Sequence, residues 1–185
     1  MGLLEKIESL LGGRKKDFNI LVIGLDNSGK STILNNLKTK DTKVATINPT
    51  VGFNQEKINF QSVNFNFFDM SGQSRYRSLW EHYYKESNAI IFVIDSSDRM
   101  RFVVSNEELA DVVNHAEIKN KDIPLLILAN KKDVKGAASE NEIKNELEIN
   151  RIKGRNCKVY STNGLSGEGI NEALEWLASE MKNLA

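Results

Sequence analysis

Apolar residues in this chain occur in three patterns, and each predicts a different element. Continuous apolar runs of strand length occupy 18–24 (FNILVIG), Ala89–Asp95 (AIIFVID) and 123–130 (IPLLILAN). Continuity of this kind marks strands buried on both faces, and the first reads as the central one. Longer amphipathic stretches separate the runs, which implies βα crossovers and a mostly parallel sheet. Pro124 is tolerated at the start of a strand. In 54–69 the apolar positions Ile58, Phe60, Val63, Phe65 and Phe67 instead alternate with polar ones around Gln61-Ser62. That predicts a β-hairpin and one antiparallel edge.

The third pattern is helical. A helix is expected over 31–37 and another over 99–115, with Phe102, Val103, Leu109, Val112 and Val113 on one side. Ser139 and Glu142 form a capping-box pair ahead of Ile143 and Leu147. Ile170, Leu174, Leu177 and Met181 make a single stripe over 169–181 that should cover the sheet. At the start, Leu3, Leu4, Ile7, Leu10 and Leu11 form one apolar helical stripe ending at Gly12-Gly13, followed by Arg14-Lys15-Lys16. Such a helix can pack on the domain or lie in a membrane interface with its basic cluster against anionic headgroups, and the pattern leaves both open. Gly2 suggests N-myristoylation, but Lys6 stands where that signal expects Ser or Thr.

Composition narrows the classes. A chain of 185 residues without a composition break is read as one domain. Its 25 basic and 25 acidic side chains cancel, so no global field recruits nucleic acid, and no nucleic acid partner is expected. The single Cys157 excludes an intrachain disulfide framework and is read as a buried strand residue. His82 and His115 are too isolated in sequence to suggest a metal centre and are expected at the surface or as caps. No apolar run reaches the ~20 residues that span a bilayer, and a cytoplasmic protein is expected.

The candidate chemistry lies just after the predicted strands, where open α/β sheets bind ligands. Gly24-Leu25-Asp26-Asn27-Ser28-Gly29-Lys30-Ser31, with Thr32 next, fits the phosphate-cradling loop at every fixed position. Its glycines let backbone N–H groups wrap phosphates, Lys30 adds a point charge, and the Ser31 hydroxyl suits Mg²⁺. After the hairpin comes Asp69-Met70-Ser71-Gly72-Gln73. There Asp69 suits Mg²⁺ through water, the Gly72 N–H suits a terminal phosphate, and Gln73 suits an attacking water. After the run ending near Leu128 comes Asn130-Lys131-Lys132-Asp133. A carboxylate at Asp133 accepts two N–H groups from guanine, whereas adenine presents it with an unprotonated ring nitrogen. GTP is therefore expected over ATP. Asn130 and Lys131 would support the loop and cover the base.

Together GLDNSGKS, PTVGF, FDMSGQ and NKKD resemble the small GTPases of the ADP-ribosylation-factor family over nearly the whole chain. The resemblance implies a P-loop NTPase small G domain over 17–185: α/β, a mostly parallel six-stranded sheet with one antiparallel edge and helices on both faces. Residues 1–16 would be an amphipathic helix and basic linker. It implies that Thr50 joins the Mg²⁺ shell only when the γ-phosphate is present, and that Asn163 and Gly164 meet the base through the Gly164 N–H. It also implies that the hairpin moves between nucleotide states and that Phe53, Phe68 and Tyr83 form an exposed aromatic cluster for an effector. Asp26 matches the family's phosphate loop, whereas Ser71 stands where most relatives have Gly.

Function follows from the same resemblance. A monomeric GTP-driven switch in membrane trafficking is expected, with an exchange factor, a GTPase-activating protein and reversible membrane contact through the N-terminal helix. No arginine is placed by local spacing to reach the γ-phosphate, so intrinsic hydrolysis should be slow, on the order of 10⁻⁴ s⁻¹ or less. The alternative is a GTP-loaded scaffold with negligible hydrolysis. MGLL, DMSGQ and the stretch 77–97 are most similar to the family's ciliary, Bardet-Biedl branch. That branch implies the BBSome as effector coat, at or near the base of the cilium.

Overall fold

The computed structural model describes residues 16–184, so the expected N-terminal helix, Gly2 and the basic pair Arg14-Lys15 lie outside the described residues. The first strand, β1 (Lys16–Ile23), leads into α1 (Lys30–Leu37), followed by β2 (Phe53–Phe60) and β3 (Val63–Met70). A 3₁₀ turn (Ser74–Leu79) and the short α2 (Glu81–Tyr84) precede β4 (Ala89–Asp95). The remainder alternates α3 (Phe102–Asn114), β5 (Leu125–Asn130), α4 (Glu140–Glu146), β6 (Cys157–Ser161) and α5 (Ile170–Asn183).

These strands form one six-stranded sheet in the order β2-β3-β1-β4-β5-β6. Only β2 and β3 pair antiparallel. The parallel pairs β1/β3, β1/β4, β4/β5 and β5/β6 put the phosphate loop, which follows β1, beside the segments that follow β3 and β4, with the segment after β5 one strand further on at the same end. The period-two alternation of strand side chains divides the core between two faces. Leu21, Ile23, Phe92 and Ile127 pack with Phe102, Leu109, Val112 and Ile143 on one face. Ile20, Val22, Val93 and Leu128 pack with Ile33, Leu34, Ile170, Leu174 and Leu177 on the other. Helices therefore cover both faces, as the crossovers require.

Local signals hold in detail. Ser139 Oγ accepts from the Glu142 N–H while Glu142 Oε2 accepts from the Ser139 N–H, so the capping box is complete. His115 closes α3, its Nδ1 accepting from the Glu117 N–H, and His82 is exposed. Two expectations are corrected. Val103 is 66% exposed, and Ser105 takes the inward position beside Phe102, Leu109 and Val112. The helical period favours the residue three after Phe102 over the residue next to it. Cys157 is half-buried, because it opens the edge strand β6, and burial of its thiol pushes the pKa up to about 11.

Candidate functional site

Four segments meet at the carboxyl ends of β1, β3 and β5. Gly24 leaves β1 with φ 134°, and a Cβ there would lie 2.1 Å from the Val93 carbonyl oxygen, so the close turn requires glycine. Lys30, which opens α1, is buried, and its Nζ donates to the Gly24 and Leu25 carbonyls at 3.0 and 2.8 Å. Burial pulls its pKa down to about 8, against the attraction of Asp69 and Asp26. Asp26 and Asn27 stand exposed at the rim of a cavity of about 280 Å³. Gly29, Lys30, Ser31, Thr32, Thr50, Gly72 and Gln73 line it as well.

At the wall of that cavity formed by Ser31 and Thr50, three side-chain oxygens from separate segments converge, the third from the buried Asp69 behind them. Ser31 Oγ donates to Asp69 Oδ2 at 2.5 Å and lies 2.9 Å from Thr50 Oγ1, which is 3.5 Å from the same carboxylate oxygen. The second oxygen, Asp69 Oδ1, is buried without a hydrogen-bond partner among the described residues, as is Ser28 Oγ. Burial raises the Asp69 pKa, opposed by the Ser31 hydrogen bond and the Lys30 charge. A hard, oxygen-seeking cation suits this donor set: its charge would stabilise the ionised carboxylate, and the unpaired Asp69 oxygen could accept from a water bound to it. Gly72 is buried against the loop backbone: a Cβ there would lie 2.3 Å from Asp26 N and 2.4 Å from Gly24 O. Gln73 lines the cavity mouth, its Oε1 accepting from Arg75 Nε at 3.2 Å.

Asn130 joins the segments on the far side of the loop. Its Nδ2 donates to the Ser28 carbonyl at 2.9 Å, and its Oδ1 accepts from the Gly164 N–H at 2.8 Å and from Thr162 Oγ1 at 3.3 Å. The Gly164 N–H, expected to meet the base, is thus committed to Asn130, because the backbone at 163–164 passes directly over that buried amide. Asn163 shapes the same turn, its Oδ1 accepting from the Leu165 and Ser166 N–H groups. Lys131 adopts φ 65° and pairs with Asp95 at 2.6 Å, and Asp133 is exposed just beyond. Burial would raise the Asp95 pKa, but Lys131 and Ser97 outweigh it and hold the carboxyl low.

Local spacing did not reveal several residues around the site. Arg101, just before α3, donates to the Asp26 carbonyl at 3.0 Å and to its carboxylate at 2.6 Å. Arg77 Nε donates to the Gly72 carbonyl at 2.9 Å, and its Nη1 pairs with Glu108 on α3. Two arginines therefore approach the phosphate loop and Gly72, each already engaged. Trp80 is buried and donates to the Ser71 carbonyl, while the Ser71 N–H donates to the Gly52 carbonyl, tying the two loops together. The expected aromatic cluster is assembled: Phe53 and Phe68 rings lie 5.1 and 4.9 Å from Tyr83. Within it Phe53 is exposed, but Phe68 is nearly buried, since β3 is covered on its α2 side.

Comparison with known proteins agrees with this geometry. The model of the ADP-ribosylation factor family matches residues 4–181. ADP-ribosylation factor-like protein 6 of Danio rerio is 47% identical over 182 residues, covering 98% of each chain. Its Caenorhabditis elegans namesake is 44% identical over 181 residues, covering 98% of this chain and 95% of its own. Among solved structures, the Arl6 BBS3 small GTPase from Trypanosoma brucei, with the nucleotide analogue GppNp bound, superposes with a TM-score of 0.85 at 34% identity. That match covers 91% of this chain and 99% of the other.

Proposed function

The chain belongs to the ADP-ribosylation factor family of GTP-binding, GTP-hydrolysing switches, and we propose that its role there is nucleotide-dependent recruitment of an effector coat, the BBSome, in membrane and ciliary trafficking. GTP and GDP are its ligands, with Mg²⁺ neutralising phosphate charge when bound. The observation that carries the site assignment is the convergence of Ser31, Thr50 and Asp69 oxygens beside the phosphate-loop cavity.

In this reading Gly24 to Thr32 cradle the phosphates. Lys30 would exchange its carbonyl partners for phosphate oxygens, and Ser31 with Thr50 would hold the metal directly, with Asp69 acting through water. Thr50 and the Gly72 N–H report whether the last phosphate remains, so loss of that phosphate releases both loops. Gln73 orients the attacking water. Its carboxamide is neutral, so it positions the water rather than removing its proton. Asn130 braces the phosphate loop against the 163–164 turn, Lys131 covers the base, and Asp133 selects guanine. An activating protein accelerates the slow intrinsic hydrolysis, and an exchange factor reloads GTP.

The exposed edge of the Phe53, Phe68 and Tyr83 cluster is the effector contact in the GTP state, as expected of an apolar patch on a polar surface. Residues 1–16 act as the reversible membrane anchor, separate from the G domain at 17–185. No helix among the described residues is long and apolar enough to cross a membrane, so attachment would be interfacial. The test is binding of purified BBSome to protein loaded with GTP or GDP, with liposome flotation in parallel. Capture confined to the GTP state supports the reading. Equal capture in both states, or none in either, overturns it.

A further inference from the structure

A second cleft, of about 360 Å³, opens between the C-terminal half of α3 and the segment 147–155. It lies at the opposite end of the sheet from the nucleotide cavity, beside the segments that enter β5 and β6. Its floor is apolar: Leu109 and Leu147 are buried, and Val113 and Ile152 are partly covered. Its rim is cationic, formed by Lys119, Arg151, Lys153 and Arg155 against one lining carboxylate, Glu148, which already pairs with Arg151 at 2.6 Å.

Arg155 is the unusual member. Its Nη2 donates to the Ile118 carbonyl at 2.9 Å, but Nε and Nη1 are buried and meet no acceptor among the described residues. Desolvation lowers the Arg155 pKa, opposed at longer range by Cys157 and Asp122. Lys153 Nζ donates to the Asn150 carbonyl at 3.0 Å. Among the described residues no carboxylate forms an ion pair with Lys119, Lys153 or Arg155, so the cleft carries a concentrated positive potential over an apolar base.

We propose that this cleft docks an acidic peptide segment of a partner protein, with one aliphatic or aromatic side chain on the Leu109/Leu147 floor and flanking carboxylates facing Lys119, Lys153 and Arg155. Both halves of the cleft decide the ligand class. A compact inorganic anion would meet the cations and leave the floor wet, whereas a purely apolar segment would bury the floor and desolvate unpaired charges. A segment carrying both features satisfies both, and the volume suits one or two side chains. No residue of the phosphate loop, of 47–52 or of 71–80 lines the cleft. The cleft is thus spatially separate from the nucleotide cavity; docking there requires neither nucleotide state, and a partner held here can stay on the protein through the GTP cycle.

Fluorescence anisotropy with a short fluorescein-labelled peptide alternating glutamate and leucine tests this on the full chain, loaded in turn with GTP and GDP. Saturable binding of equal affinity in the two states is expected. The double variant Lys119→Glu, Lys153→Glu, made at exposed positions so that nucleotide loading is unchanged, should weaken it by at least about tenfold. Replacing leucine by serine in the peptide should weaken it comparably. Amide chemical-shift changes should fall at 109–114 and 147–155. The proposal is overturned if binding does not saturate, ignores the double variant or maps elsewhere. It is equally overturned if inorganic phosphate or the serine peptide binds as well as the leucine peptide, which would make the cleft a generic anion patch.

Discussion

Replacing Gly72 by Ala tests the switch directly, because the structure leaves no room for one methyl group. Its Cβ would stand 2.3 Å from Asp26 N, 2.3 Å from Leu25 C and 2.4 Å from Gly24 O. All three are backbone atoms, so no side-chain rotation relieves the clash, and restoring a van der Waals separation of ~3.5 Å requires about 1 Å of movement. The phosphate loop is fixed by β1 and by Asn130, so the 71–73 segment is the part that must yield. Its holding bonds, Arg77 Nε to the Gly72 carbonyl at 2.9 Å and Trp80 Nε1 to the Ser71 carbonyl at 3.0 Å, cannot survive such a shift unchanged. If the Gly72 N–H is what senses the terminal phosphate, the variant loses one hydrogen bond to a charged group, about 1.5–3 kcal/mol. GTP affinity should then fall roughly 10- to 150-fold, with GDP affinity nearly unchanged. Displacement of a fluorescent nucleotide by GTP and by GDP measures both. Unchanged affinity for both nucleotides in a normally folded variant would refute the assignment. An equal fall for both nucleotides would show that the phosphate loop had moved instead.

Other outcomes follow from the same geometry. Asn130→Ala removes the buried links to Ser28, Thr162 and Gly164, and should cost about 2–4 kcal/mol in chemical denaturation. Asp133→Asn should reduce the preference for GTP over ATP by ~100-fold or more in competition binding, since the paired acceptors for guanine are lost. Gln73→Leu should leave GTP affinity intact and abolish stimulated hydrolysis. Unchanged single-turnover rates with an activating protein present would count against Gln73. At α4, hydrogen bonds from Ser139 and the Arg99 pairing hold the Glu142 carboxyl down to about 2, against an ordinary 4.5. A depressed folded-state value means that this stabilisation is present above pH 4.5 and is lost as pH falls towards 2. Glu142→Gln should remove that portion of the acid-unfolding profile, seen by comparing midpoints from neutral pH down to pH 2.

Much of the fold was written in short-range pattern. Strand burial follows from unbroken apolar runs, the β2/β3 turn from alternation that inverts at Gln61-Ser62, and the start of α4 from a serine and a glutamate three residues apart. These depend on atoms that are neighbours in sequence, so backbone geometry alone determines what they can do. The phosphate loop belongs to the same class, because its function resides in the consecutive N–H groups of one turn. What brings distant segments together was decided by the tertiary structure. Ser31, Thr50 and Asp69 share one carboxylate oxygen only because β3 lies beside β1. Arg101 reaches Asp26 across 75 residues, and Arg77 reaches Glu108 across 31; neither pair leaves a trace in local spacing. The Gly164 N–H turns to Asn130 rather than outward, and Ser105 displaces Val103 from the core, because packing assigns each group to the neighbour within reach. Sequence established which chemistry the chain carries at each strand end, and the folded sheet established which of those groups can act on the same ligand.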